Sequence, residues 1–188
     1  SRLVSDSLTS MNRRKFFAAG AVAGLSGSFL FDLSAQEKHK PFTLKYAPHF
    51  GMFKNSAPGG LLDELRFAHD HGFRAWEDNG MSARPVEEQV AIGELMEKLG
   101  ITMGVVSAKT GIKELNFASK DKEAHQVVLD QIAATAEVAK RVNAGYMTLV
   151  SGQVDPRWDR ETQYTNCIDL LRRAVEIVEP HNITMVME

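Results

Sequence analysis

Residues 145–187 read GYMTLVSGQVDPRWDRETQYTNCIDLLRRAVEIVEPHNITMVM, and this stretch decides the fold. Gly145–Val150 is a short apolar run of β-prone residues. Asp159–Glu179 then places Tyr164, Ile168, Leu171, Val175 and Val178 at the i, i+4, i+7 spacing of an amphipathic helix. Pro180-His181-Asn182 stops that helix, and Ile183–Met187 returns to an apolar run. A buried strand, a crossover helix and a second buried strand are what a pair of parallel strands needs.

The same rhythm extends back toward the N-terminus. Phe42–Ala47 is β-prone, and Gly60–His71 carries Leu61, Leu65 and Ala68 at helical spacing before Gly72 stops it. Phe73–Glu77 is the second predicted strand. Pro85, placed where a first helical turn tolerates it, opens a helix with Val86, Val90 and Leu99 that runs up to Gly100. Ile101–Ser107 is the third strand, and Asp121–Asn143 is a long helix with Val128, Ile132, Ala136, Ala139 and Val142 close to one stripe. Apolar runs without alternation fit parallel strands buried on both faces. A closed barrel and an open doubly wound sheet both satisfy this order. The first strand is followed by Tyr46-Ala47-Pro48-His49-Phe50-Gly51 and by no Gly-x-Gly-x-x-Gly, which weakens a dinucleotide-binding reading.

The 188 residues carry a formal net charge of −2, are 44% hydrophobic and 24% charged, and give no electrostatic reason to expect nucleic acid. Cys167 is the single cysteine, so a disulfide framework or thiolate cluster is excluded, and its place in a helix suggests a small buried side chain. The first Met is Met11, followed by Asn12-Arg13-Arg14-Lys15, an apolar stretch Phe16–Phe31 and Leu33-Ser34-Ala35. A charged start, a short apolar run diluted by glycine and serine, and a small-residue cleavage pattern make a signal peptide. The Arg13-Arg14 pair with Phe16-Phe17 resembles the twin-arginine export motif. Residues 1–35 are therefore expected to be leader and signal, and residues 36–188 the exported domain, handled by the twin-arginine machinery and delivered to the periplasm or beyond. The chain ends at Glu188, directly after an apolar run, as a piece of a longer protein would.

In parallel α/β folds chemistry gathers at the carboxyl ends of the strands. Those positions read His49, with Phe50, Met52 and Phe53 beyond it; Glu77-Asp78-Asn79; Ser107 and Lys109; Ser151-Gly152-Gln153; and Glu188. Polar residues at the same end of successive apolar strands suggest the mouth of a pocket. Each has a plainer reading: His49 as a filler of the barrel mouth, Glu77 and Asp78 as caps on the next segment, Lys109 as a solvated lysine, Glu188 as a loop acid.

Three segments carry a family resemblance: residues 44–53, LKYAPHFGMF; residues 72–80, GFRAWEDNG; and residues 183–188, ITMVME. Together, with Ala139–Ala144, they resemble the hydroxypyruvate-isomerase branch of the xylose-isomerase-like TIM-barrel superfamily. The resemblance implies a (β/α)8 barrel of which about the first four and a half β/α units are present. It implies a metal-dependent isomerase that moves a proton between the carbons of a small hydroxy-carbonyl or sugar substrate through an enediolate. Glu188 matches the catalytic glutamate ending strand five, which also binds a divalent ion, Mg²⁺ or Mn²⁺. His49, Glu77 and Lys109 are expected to bind substrate. In the family the second glutamate and the other metal ligands lie on strands six to eight, so residues 1–188 alone are expected to be inactive, with open strand edges that could self-pair or form a homo-oligomer. The alternatives are a ketose 3-epimerase of the same superfamily and an exported, non-catalytic sugar-binding protein. A zinc endonuclease of this fold needs histidines where the second and third strands end, and this chain has Glu77-Asp78-Asn79 and Val106-Ser107-Ala108 there.

Overall fold

A computed structural model describes residues 39–188; the leader and signal expected at 1–35 lie outside the described residues. Four helices alternate with short parallel strands. Helix α1 is Leu61–Asp70, α2 is Val86–Leu99, α3 is Lys122–Arg141 and α4 is Arg160–Val178. The strands are β1 (Ala75–Trp76), β2 (Thr102–Met103), β3 (Val105–Ser107), β4 (Tyr146–Leu149) and β5 (Thr184–Met187). Among the described residues no helix is long and apolar enough to cross a membrane.

The helix ends follow local chemistry. Asp121 caps α3, its carboxylate accepting from the Glu123 and Ala124 N–H groups at 2.9 and 3.3 Å. Asp159 caps α4 through the Thr162 N–H at 2.9 Å. Both satisfy donors that a first turn leaves orphaned. Helix α2 ends on Gly100, in the left-handed conformation at φ 65° that favours glycine.

The stripe expected on α3 is buried from Val128 through Val142. On α2 it is not: Val86 and Val90 are exposed, and the buried face is Gln89, Ile92, Gly93 and Met96. Gln89 is buried because its amide is used. Its Nε2 donates to the carbonyls of Met81 and Arg84 at 3.2 and 2.9 Å, and its Oε1 accepts from Arg141 at 3.0 Å. Beside it, Gly93 lies against the Arg141 carbonyl with no room for a Cβ. On α4 the core face is Leu170, Ala174 and Val178, whereas Tyr164, Ile168 and Val175 of the expected stripe are exposed. This helix therefore has two adjacent apolar faces. One meets the core, and the other, with Leu171 and Val175, borders a groove against Met185 and Met187.

The strands pair in sequence order and in parallel: β1 with β2, β3 with β4, and β4 with β5. The predicted third strand is two pieces, interrupted at Gly104, whose N–H still donates to the Trp76 carbonyl at 2.8 Å. The predicted first strand, Phe42–Ala47, forms no ladder. Only His49, just beyond it, bridges to Glu77 in parallel, with the Glu77 N–H donating to the Pro48 carbonyl at 3.1 Å. Pro48 has no N–H to return. Residues 42–46 lie exposed, Phe42 stacking edge-on against Phe73 and Lys45 reaching Thr102.

No strand is inserted out of order, so the reversal that marks a doubly wound sheet is missing among the described residues. The architecture is that of an open part of a (β/α)8 barrel, about four and a half units. Its core packs Trp76, Leu65, Ile92, Val106, Ile132 and Met147 between strands and helices.

Candidate functional site

His49 is fixed by the turn it opens. Its carbonyl accepts from the Met52 N–H at 3.3 Å, and its own N–H meets the Met52 sulfur at 3.3 Å. Glu64 of α1, almost wholly buried, clamps the same turn: its carboxylate accepts from the Gly51 N–H at 2.9 and 3.1 Å and from the Phe53 N–H at 3.0 Å. Phe50 then packs against Trp76 of β1, the rings tilted by 53° with centroids 4.8 Å apart, and the Arg84 guanidinium covers the Phe50 ring at 4.8 Å.

Glu77 follows β1 and stands beside His49 through the parallel bridge. Its carboxylate is half-buried and has no hydrogen-bond partner among the described residues. Asp78, the next residue, is buried and used structurally. It accepts from the Gly80 N–H at 2.9 Å and from Arg84 Nε at 2.6 Å, so it closes a turn and pairs with an arginine, whereas the next helical turn, Met81–Ala83, has Gly80 and no side chain as its cap.

Lys109 is exposed in the loop after β3, between two residues stitched to β4. The Ala108 N–H donates to the Thr148 carbonyl at 2.8 Å. The Thr110 hydroxyl donates to the Val150 carbonyl at 2.7 Å and accepts from the Val150 N–H at 3.3 Å. Lys109 is thereby held at the rim where β3 and β4 end.

Glu188 follows β5. Its N–H donates to the Leu149 carbonyl at 3.0 Å, which fixes its backbone one strand from Ser151, and its side chain is exposed. His49, Glu77, Lys109 and Glu188 thus follow the order of the strands around one rim. His49 and Glu77 are neighbours, and no hydrogen bond or ion pair joins any two of the four side chains among the described residues.

Several residues that organise this rim carry no sequence motif. Buried Asn116 donates from Nδ2 to the Thr110 carbonyl and accepts from the Phe117 N–H at 2.7 Å. Gln153 ties the loop after β4 to the loop after β3, its N–H donating to the Glu114 carbonyl and its side chain to the Ile112 carbonyl, each at 2.8 Å. Between them Gly152, at φ 72°, lies so close to Asn116 and Glu114 that a side chain has no space. Asp155, fully buried, accepts from the Arg157 Nε and terminal nitrogen at 2.8 and 2.7 Å, and that guanidinium holds its carboxyl below the usual range. The signals were a bare polar residue or glycine in a loop, indistinguishable from solvated turns by pattern alone.

Beyond β4 a cleft of about 510 Å³ opens between these loops and α4, bordered by Ser151, Gly152, Gln153, Arg160, Tyr164 and Cys167. Cys167 is half-buried, and burial pushes its thiol up. Among the described residues no three His, Cys, Asp or Glu side chains converge to hold a metal ion. Glu188 offers one hard oxygen donor, and the described residues do not complete a site around it.

Parallel strands in sequential order, crossover helices outside them and a polar rim at the carboxyl ends define a TIM-barrel type of chain. The chain belongs to the xylose isomerase-like TIM barrel family, whose model matches residues 65–188. No curated protein matches it. Among solved structures it is similar to an AP endonuclease, family 2, from Brucella melitensis, with 19% identity and a TM-score of 0.59 over 76% of this chain and 54% of that one. It is also similar to a D-tagatose 3-epimerase-like protein, with 19% identity and a TM-score of 0.56 over 77% of this chain and 52% of that one. A third, the IolI protein with a bound zinc atom, gives 16% identity and a TM-score of 0.54 over 76% of this chain and 51% of that one. The chain spans about half the length of these structures, and at such identities the likeness is one of fold.

Proposed function

We propose that the whole protein is an isomerase of the hydroxypyruvate-isomerase type and that Glu188 is its proton-transferring carboxylate. The observation that supports this is the place of Glu188: the first residue beyond β5, at the carboxyl end, in a chain of the xylose isomerase-like family. A carboxylate there can take a proton from the hydroxymethyl carbon of hydroxypyruvate, next to the carbonyl, to give an enediolate. Return of that proton to the former carbonyl carbon, with one proton moved between the two oxygens, gives tartronate semialdehyde. His49, Glu77 and Lys109 bind and orient the substrate from the rim. A divalent ion, Mg²⁺ or Mn²⁺, with Glu188 as one ligand, belongs to the same reading. The described residues supply no further ligands for it. Arg13-Arg14 and the apolar run Phe16–Phe31 support export by the twin-arginine route to the periplasm or beyond, with residues 36–188 as the N-terminal part of the exported barrel.

The test uses the gene sequenced past the codon for Glu188 and expressed without residues 1–35. Hydroxypyruvate conversion is followed with Mg²⁺ or Mn²⁺, with and without EDTA, beside Glu188→Gln. Turnover that the variant loses by at least a hundredfold supports the reading. Turnover on ketoses alone moves the protein to the 3-epimerases. A folded protein silent on both substrates overturns the enzyme reading in favour of a sugar-binding protein.

A further inference from the structure

We propose that the cleft outside the carboxyl end of β4 binds the carboxylate of a small hydroxy or oxo acid, with the Arg160 guanidinium as its cation. The guanidinium is already positioned. Its Nε and one terminal nitrogen donate to the Tyr164 hydroxyl oxygen at 2.9 and 2.6 Å, one helical turn on, and its carbon lies 5.2 Å from the ring centroid. Arg84, Arg157 and Arg172 each pair with a carboxylate; Arg160 pairs with none among the described residues. A guanidinium has five N–H donors, and Tyr164 occupies only two. The Tyr164 oxygen accepts both, so its own hydrogen is left to donate.

Among the described residues, the rest of the cleft carries no charge that would oppose an anion. No acidic side chain lines it, so Arg160 is its one formal charge among the described residues. Its floor is Ser151 and Gly152, whose backbone N–H groups donate to no protein oxygen among the described residues. That floor is rigid, since Gln153 and the close approach of Gly152 to Asn116 lock it to the preceding loop. A volume of about 510 Å³ admits a three- or four-carbon acid with room to spare. The floor also adjoins the candidate catalytic residue, because the Leu149 carbonyl that holds the Glu188 N–H is two residues before Ser151. Glu188 itself does not line the cleft, so the link between the two is this shared strand end. The assignment rests on the proposed isomerase reading for the identity of the acid, and on the cleft alone for its charge.

Binding without turnover separates the two. The whole protein is titrated calorimetrically with glycerate and with dihydroxyacetone, an uncharged molecule of the same size. Arg160→Gln is expected to raise the Kd for glycerate at least tenfold and to leave that for dihydroxyacetone within twofold. Tyr164→Phe, which removes the oxygen that holds the guanidinium, is expected to raise the glycerate Kd by a smaller factor. No glycerate binding by the wild type, an unchanged Kd in Arg160→Gln, or equal weakening of both ligands overturns the proposal. So does an equal loss in Arg173→Gln, a cation outside the cleft. Arg160-dependent glycerate binding in a protein that does not turn over hydroxypyruvate leaves the subsite standing and removes the isomerase reading. Turnover with a KM untouched by Arg160→Gln does the reverse.

Discussion

Replacing Glu64 by alanine tests whether the rim is built from the helix layer outward. The carboxylate is buried and accepts from two backbone N–H groups, those of Gly51 and Phe53. Hydrogen bonds to a charged acceptor are worth about 1.5–3 kcal/mol each net. Gly51 is exposed, so water can recover part of its loss, whereas Phe53 is packed among Phe67, Phe73 and Trp76. The sum is about 3 kcal/mol, or a fall in Tm of about 6–12 °C for a chain of this size. Glu64→Gln keeps one acceptor oxygen, and the oxygen at the Oε2 position already reaches both N–H groups, so its loss should be about half. Thermal unfolding of the two variants gives the magnitudes, and amide exchange reports where they act. Exchange should accelerate in residues 49–53 in both variants, more in Glu64→Ala, while the interior of α3 stays protected. Equal stability of Glu64→Ala and wild type, or acceleration spread evenly over all four helices, would refute the idea that this carboxylate serves the His49 turn.

Further expectations follow from other contacts. Gly93→Ala should destabilise by about 1–2 kcal/mol despite alanine's better helix propensity, because the added methyl meets the Arg141 backbone carbonyl; a raised denaturation midpoint would contradict this. Asp155 has a lowered carboxyl pKa from the Arg157 hydrogen bonds, so its stabilisation is full above the ordinary carboxylate pKa, about 4, and is lost as pH falls through the lower folded value. Midpoints measured from pH 6 to 2 should fall less steeply in Asp155→Asn than in wild type. Cys167, half-buried with its thiol pushed up, should react with iodoacetamide at pH 7 more slowly than a free cysteine, and the ratio should close in denaturant.

The helices were legible in the sequence to within a residue or two because their ends are written in chemistry that acts locally: Asp121 and Asp159 as caps, Gly72 and Gly100 as stops. Which face of a helix is buried was less legible. Gln89 belongs to the core of α2 because three partners satisfy its amide, and hydropathy ranks it below Val86 and Val90, which face outward. On α4, Tyr164, Ile168 and Val175 spell a good stripe, yet the face toward α3 and the sheet is the neighbouring one. The strands were placed correctly from the second onward, although the third is split at Gly104. Phe42–Ala47 failed because a β-prone run needs a partner along its length, and here only His49 reaches one. At the rim, His49 and Glu77 could be paired in advance from the expected order of strands. Glu64 could not, since its role depends on a turn that lies upstream in sequence and beside it only in space.

The sequential pairing of the strands also sets the order in which the chain can mature. Each strand's partner is separated from it by a single crossover, so β4 can dock on β3 before any of β5 has been made. During synthesis each new strand finds its partner already made, and the growing edge is one strand wide. Contact order stays tied to crossover length however many units are added, which keeps folding on the ribosome a matter of repeated local closure. A pause in translation leaves backbone donors and acceptors open along the newest strand as well as at the first edge, where only His49 bridges.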